Sequence, residues 1–313
     1  MIQTVSLGKT DLKVSALGLG TWQWGDTGMW QYGQGYSQAD VQAAYTASRE
    51  AGITFFDTAE IYGSGTSERL LGPLALAERD QVFVATKFAP LPYRLMAGSL
   101  GKALDASLKR LTLTQVDLYQ IHWPFTLLSI DALMNALADQ VEAGKTRAVG
   151  VSNFSARQMR KAHGALAKRG IPLASNQVHY SLLARAPERN GVLAACRELD
   201  VRLIAYSPLE KGALTGKYHE GARVTGQRKQ FVSAFRSSSL QASAPLIDLL
   251  RKVGAAHEGK TPAQVALAWL MRQGALPIPG AKNPTQALSN AGALGWSLTD
   301  DEFEQISSLQ VEQ

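Results

Sequence analysis

Short apolar runs, each closing on a polar residue, recur through the middle of this chain at the pitch of one strand plus one helix. The closing residues are Asp57, Lys87, His122, Ser152, Gln177 and Tyr206, separated by 30, 35, 30, 25 and 29 positions. The runs are β-rich: 53–57 (ITFFD), 82–87 (VFVATK), 117–122 (DLYQIH), 146–152 (TRAVGVS), 174–178 (ASNQV) and 202–206 (RLIAY). With 16–21 (ALGLGT) before them and 276–279 (LPIP) after, they make eight. Helical patterns lie between them at 38–51, 66–78, 98–110, 130–143, 155–168 and 187–200, and again at 240–257. Alternation of strand and helix means βαβ units and a parallel sheet. Eight strands at this pitch favour an α/β fold closed as a (β/α)8 TIM barrel over an open doubly wound sheet. The 313 residues suffice for one such barrel, and no low-complexity tract or Pro-rich linker divides them, so 1–313 reads as a single domain. A short strand pair near 3–7 and 12–15, turning at Gly8-Lys9-Thr10-Asp11, reads as an N-terminal β-hairpin closing the bottom of the barrel. Residues 208–239 show no clear period and read as a long loop at the C-terminal face.

Several function classes drop out. One cysteine, Cys196, leaves no internal disulfide framework and no multi-Cys zinc site. It reads as a buried helical residue, and the near absence of thiols suits a reducing cytoplasm. No apolar run reaches the ~18–20 residues of a membrane helix. The opening residues lack a continuous apolar core, so a signal peptide is not expected. The net charge of +6 is mild, and the basic residues between 145 and 189 fall on helices ringing the barrel. They read as a solvated face, and nucleic acid is not an expected partner.

A barrel of this kind carries its chemistry at the C-terminal ends of its strands. Taken singly, a strand-end Asp or Lys is usually a cap, a lone His a satisfied core residue, and a lone Tyr a packed ring. Together, Asp57, Lys87 and His122 end three successive strands, and Tyr62 follows Asp57 by five residues. An acid, an ammonium, an imidazole and a phenol should therefore meet at one mouth. That set suits proton delivery. A phenol with an ordinary pKa near ~10 is expected to be lowered by Lys87. Asp57 would keep Lys87 charged and in place. His122 can bind a carbonyl oxygen or relay the proton, and Tyr62 becomes the general acid for a carbonyl receiving hydride.

Phe56-Asp57-Thr58-Ala59-Glu60-Ile61-Tyr62-Gly63, Ala85-Thr86-Lys87, Tyr119-Gln120-Ile121-His122-Trp123-Pro124, Gly150-Val151-Ser152-Asn153-Phe154 and Ile278-Pro279-Gly280-Ala281-Lys282 resemble the motifs of the aldo-keto reductase family, over about residues 5–310. The resemblance implies Asp57, Tyr62, Lys87 and His122 as the catalytic tetrad, NADPH/NADP+ as cofactor and a small-molecule carbonyl as substrate. It is similar to a plant and cyanobacterial branch with pyridoxal reductases among its members, which makes pyridoxal a candidate. Potassium-channel β subunits share the fold and tetrad, so a nicotinamide-binding regulatory subunit is the alternative. No extended N-terminal segment that might act on a partner supports it.

The cofactor site is not of the Rossmann kind, because Gly18-Leu19-Gly20 lacks a third glycine. A barrel can instead bind phosphate near its last strands. Pro279-Gly280-Ala281-Lys282-Asn283-Pro284 offers a strand end, a cation, an N-cap and a first-turn proline, which suits the 2′-phosphate of NADPH. The resemblance places Ser152, Asn153 and Gln177 on the nicotinamide carboxamide and Tyr206 under its ring. It places Ser207, Pro208, Leu209, Gly212 and Lys217 along the pyrophosphate, and Gln286 and Asn290 at the adenine end. Thr21 and Trp22 join them from the first strand end. Ser289 departs from a position often Glu in the family. Arg228, in the long loop, is a further phosphate clamp, with a solvated loop arginine as the competing reading. Trp24, Phe88 and Trp123 are expected to wall the substrate pocket.

Overall fold

Eight short parallel strands form the centre of the computed structural model, which describes residues 3–94, 96, 98–218, 233–309 and 311. A hairpin precedes them: β1 (Thr4–Ser6) and β2 (Lys13–Ser15) pair antiparallel with Val5 opposite Val14. The barrel strands are β3 (Gly18–Gly20), β4 (Phe55–Asp57), β5 (Phe83–Phe88), β6 (Val116–Ile121), β7 (Thr146–Ser152), β8 (Leu173–His179), β9 (Arg202–Tyr206) and β10 (Leu276–Pro277). Each pairs in parallel with its sequence neighbour. The ring closes where β3 meets the segment after β10: Gly20 bridges Gly280, and the Gly20 amide donates to the Pro279 carbonyl at 3.1 Å.

That closure explains the Gly-Leu-Gly run. A Cβ on Gly18 would lie 2.7 Å from the Phe55 ring and 2.9 Å from Ile278, and one on Gly20 2.9 Å from the Ile278 carbonyl oxygen. The glycines let the first and last strands approach. Leu7, Leu12 and Val14 are fully buried against Phe55, Leu118, Ile204 and Leu276, which line the barrel interior. The hairpin thus plugs the bottom, each of its three apolar side chains contributing roughly 2 kcal/mol. The top is left for polar side chains.

The outer layer comprises α1 (Gln38–Glu50), α2 (Thr66–Ala77), α3 (Gly98–Leu111), α4 (Ile130–Glu142), α5 (Ala156–Ala167), α6 (Ala186–Arg189), α7 (Val192–Leu199), α8 (Ser237–Ala256), α9 (Pro262–Arg272), α10 (Pro284–Ala291) and α11 (Asp300–Ser308). Three differences from the sequence reading have local causes. The helix read over 187–200 is broken, because Gly191 takes φ +80° between α6 and α7. The reading placed no helices at 262–272 or 300–308, although Thr261/Gln264 and Thr299/Glu302 form capping boxes at their starts. The described parts of 208–239 carry 3₁₀ turns at Glu210–Thr215 and Ser233–Phe235 and the first turn of α8, while residues 219–232 lie outside the described residues. Cys196 is buried beside Met159, and burial pushes its thiol up to about 12, as a packed and unreactive residue requires. Among the described residues, no helix is long and apolar enough to cross a membrane.

Candidate active site

Strand ends bring the four ionisable groups together. Asp57 is the last residue of β4, Lys87 the penultimate residue of β5, and His122 follows β6. Lys87 is fully buried, with its ammonium donating to Asp57 Oδ1 at 2.5 Å, to the Thr58 carbonyl at 2.8 Å and to the Tyr62 hydroxyl at 3.3 Å. The other carboxylate oxygen, Oδ2, accepts from Gln177 Nε2 at 2.8 Å and from Gln120 Nε2 at 3.2 Å. The ion pair is therefore desolvated and fully hydrogen-bonded, the condition under which a buried pair is tolerated. Gln120 went unread in the sequence; its place two residues before His122, on the same face of β6, was the available signal.

Burial and charge fix the protonation states. Burial pushes the Lys87 ammonium down, but the Asp57 carboxylate and Tyr62 outweigh it, and the net shift is upward. Lys87 is therefore a cation at neutral pH. Burial likewise pushes Tyr62 up, and Lys87 lowers it only in part, with Asp57 opposing. The expected lowering of Tyr62 is thus corrected: desolvation wins, and the phenol holds its proton above the ordinary range. His122 falls to about 2, first through burial and then through the Lys87 charge, so it is a neutral imidazole. Its Nδ1 is buried and has no partner. A neutral His122 can donate to an incoming oxygen but is no cationic proton relay. Its ring stands edge-on to Tyr62, with centroids 5.7 Å apart.

A cleft of about 670 Å³ opens above these groups, well within the range for a small-molecule site. Asp57, Tyr62 and His122 line it, and Lys87 lies directly beneath. Of the residues expected at the cofactor, Thr21, Trp22, Ser152, Asn153, Gln177, Tyr206, Ser207, Pro208, Leu209, Gly212, Lys217, Pro279, Gly280, Lys282, Gln286 and Asn290 all line it. Arg228 lies outside the described residues. Many are tied to one another. Ser152 Oγ donates to the Gln177 carbonyl, Asn153 Nδ2 donates to the His122 carbonyl, and the Tyr206 hydroxyl donates to Asn153 Oδ1. Thr21 Oγ1 is held by the Asp57 carbonyl and Ser67, so it braces the wall.

The cleft is cationic. Lys211, Lys217 and Lys282 line it, and among the described lining residues the one carboxylate, Asp57, is already neutralised by Lys87. Asn283 caps α10 as expected, accepting from the Gln286 amide at 3.0 Å. The Lys282 ammonium has a second attachment that the sequence did not show. It donates to the Trp30 carbonyl at 2.8 Å and lies 5.1 Å from the Trp30 ring centroid and 4.5 Å from that of Tyr36.

The substrate wall needs correction. Trp24 and Phe88 are fully buried and do not line the cleft. Neighbours on a strand face opposite ways, so Phe88 points outward where Lys87 points in. Trp24 packs in the core with its indole N–H donating to the Ala281 carbonyl at 2.9 Å. Trp123 does line the cleft, 4.7 Å from the His122 ring. The aromatic wall beside Tyr62 is Trp22, centroid 6.3 Å away, backed edge-on by Trp30 at 5.7 Å. Ile61 completes it.

A nicotinamide dinucleotide suits these features: its anionic phosphates would meet three lysines and a capped helix start along a cleft that His122 and Tyr62 also line. Comparison with known proteins agrees. The profile of the Aldo/keto reductase family matches residues 16–311. A chloroplastic pyridoxal reductase of Arabidopsis thaliana is 41% identical over 97% of this chain and 85% of its own length. An aldo-keto reductase of Schizosaccharomyces pombe, named with NADP(+), is 34% identical over 88% of this chain and 83% of its own. Among solved structures, a glycerol dehydrogenase from Gluconobacter oxydans superposes with TM-score 0.82 at 29% identity, covering 98% of this chain and 94% of that one. A thermostable aldo-keto reductase in complex with epalrestat gives 0.77 at 30% identity, covering 98% and 100%. The chain belongs to the aldo-keto reductase family and is an oxidoreductase of that nicotinamide-dependent kind.

Proposed function

We propose that this enzyme reduces aldehydes to alcohols with NADPH, using Tyr62 as the general acid. The carrying observation is the Tyr62 hydroxyl, 3.3 Å from a buried Lys87 ammonium that Asp57 neutralises, beside a neutral His122 at the floor of the cleft. Bound in the cleft, the reduced cofactor supplies hydride to the carbonyl carbon. His122 donates a hydrogen bond to the carbonyl oxygen and orients it, and Tyr62 delivers the proton to that oxygen. Gln177 and Gln120 hold Asp57, Asp57 holds Lys87, and Lys87 faces the charge left on Tyr62. Tyr206 offers its ring to the nicotinamide, while Ser152, Asn153 and the amide oxygen of Gln177 take its carboxamide.

Two observations narrow the chemistry. Lys282, Lys211 and Lys217 favour the additional phosphate of NADPH over NADH, and the NADP(+) in the name of the fission-yeast relative points the same way. Trp22, Trp30, Trp123 and Ile61 give an apolar, aromatic wall, and exposed Phe125 and Leu127 extend the loop that follows His122. A flat aromatic aldehyde fits such walls, and pyridoxal is the first to test, given the pyridoxal reductase among the relatives. The experiment follows NADPH oxidation by its near-ultraviolet absorbance with a panel of aldehydes including pyridoxal, and NADH run in parallel. Turnover with several aldehydes that is lost in Tyr62→Phe, with NADPH binding retained, supports the reading. A Tyr62→Phe enzyme with near-normal turnover removes Tyr62 as the acid. Tight NADPH binding with no turnover on any aldehyde would point to a regulatory subunit.

A further inference from the structure

Tyr206 sits against a second, unassigned constellation. His179 and Tyr206 are register partners on β8 and β9, so their side chains leave the sheet together. Their rings stack, with centroids 5.4 Å apart and planes inclined by 8°. His179 Nε2 lies 2.6 Å from Glu210 Oε1, and Ser181 Oγ donates to that same oxygen at 2.7 Å. The Glu210 residue is only 5% exposed, so its carboxylate depends on these two partners. Its backbone is as constrained as its side chain. Ser207, Glu210 and Lys211 take φ of +50°, +47° and +52°, a region that disfavours residues with a Cβ and persists only where the surroundings over-determine it. Between and beside them, Pro208, Leu209 and Gly212 line the cleft.

We infer that His179 and Glu210 form a positioning pair for the cofactor: the imidazole fixes the plane of the Tyr206 ring, and its tie to Glu210 locks the strained 207–212 turn in register with that ring. The inference rests on the proposed placement of the nicotinamide at Tyr206. A ring tethered only by its hydroxyl to Asn153 can still tilt about that bond; a stacked neighbour removes the freedom before the cofactor arrives. Neither residue of the pair lines the cleft, so the pair should govern cofactor affinity and leave the chemical step alone.

The test measures NADPH dissociation constants by quenching of tryptophan fluorescence, together with KM for NADPH and kcat at saturating NADPH. His179→Phe keeps a ring and loses the tie; His179→Gln keeps a donor and loses the ring; Glu210→Gln removes the charge. His179→Phe and Glu210→Gln should each weaken NADPH by about tenfold, the scale of one charge-assisted hydrogen bond, with kcat within about twofold of the parent. His179→Gln should weaken it by only about threefold, and the His179→Phe/Glu210→Gln double variant should be no weaker than either single one, because both remove one link. Tyr206→Ala serves as the reference. If it weakens NADPH while the His179 and Glu210 variants bind like the parent, the positioning pair is refuted and the cofactor placement stands. If Tyr206→Ala also binds like the parent, the placement itself fails. A fall in kcat equal to the rise in the dissociation constant would overturn the assignment to binding alone.

Discussion

Asp57→Asn tests the electrostatic core of the site, and its effect should change with pH in a direction opposite to that of the parent. Three N–H donors converge on Asp57: the Lys87 ammonium, Gln177 Nε2 and Gln120 Nε2. A carboxylate accepts all three on two oxygens. An asparagine has one oxygen and turns a donor toward at least one of them. At the 2.5 Å separation of Asp57 and Lys87, the gross attraction at an effective dielectric near 20 is about 7 kcal/mol. Desolvation offsets part of this, and removal of one partner of a buried pair typically destabilises by about 3–5 kcal/mol. That is a large share of the ~5–15 kcal/mol that holds a domain together. In the parent, the Lys87 pKa is raised in the folded state, so its stabilisation is present at neutral pH and is lost as pH climbs through the folded value. In Asp57→Asn the upward contribution of the carboxylate is gone and burial dominates. The folded Lys87 then releases its proton more readily than the unfolded chain does, and stability rises with pH over that interval. Urea unfolding of both proteins between pH about 7 and about 10 reads this directly, since ordinary lysine titrates near 10.4. The expected result is a deficit of about 3–5 kcal/mol near neutrality that narrows as pH rises. A constant deficit, or one below about 1 kcal/mol, would refute a buried, charge-dependent Lys87.

Three further outcomes follow from the same geometry. With Tyr62 as the proposed acid, reduction needs it protonated, and burial raises its pKa, so the reductive kcat should stay flat through neutral pH and fall only above the ordinary phenol value near ~10; a descending limb between about 6 and 8 would contradict the burial argument. Lys282→Ala should weaken NADPH by about tenfold or more and NADH far less, and because Lys282 is clasped by Trp30 it should also raise the aldehyde KM; equal loss for both cofactors would remove Lys282 from the 2′-phosphate. Trp24→Phe should cost about 1–2 kcal/mol of stability through the lost bond to Ala281 and leave the aldehyde KM unchanged, whereas Trp123→Ala should raise KM; the reverse pattern would restore Trp24 to the pocket.

The site was legible in the sequence to the extent that strand periodicity dictates it. A polar residue ending an apolar strand has one place to go in a closed barrel, and Asp57, Lys87, His122, Ser152, Gln177 and Tyr206 all went there. Loop geometry follows no such rule. The aromatic loop after β3 gave no sign that Trp24 turns into the core while Trp22 and Trp30 face the cleft, because that choice depends on contacts to Ala281 and Lys282, more than 250 residues away. Phe88 could have been excluded, since strand alternation sets it opposite Lys87. Gly18-Leu19-Gly20 was read correctly as no dinucleotide fingerprint, yet its use, closing the barrel against Ile278, lay in a strand pairing invisible along the chain. The sign of the Tyr62 shift was misread for a related reason: proximity to Lys87 can be inferred from strand order, but the depth of burial that outweighs it cannot.

That sign bears on how the tetrad divides its work. Were Lys87 to make Tyr62 a ready phenolate, the free enzyme would be poised to take a proton and to oxidise alcohols. With burial dominant, Tyr62 begins as a phenol, and the Lys87 ammonium 3.3 Å from its oxygen has no full negative charge there to attract. In the proposed reduction, charge develops on that oxygen only as the proton leaves for the substrate. The attraction to Lys87 then appears in a desolvated setting where it is strongest, and Asp57, already held by two glutamine amides, need not reorganise. On the proposed reading the lysine therefore acts on the charge that develops during proton donation rather than on a charge of the resting enzyme.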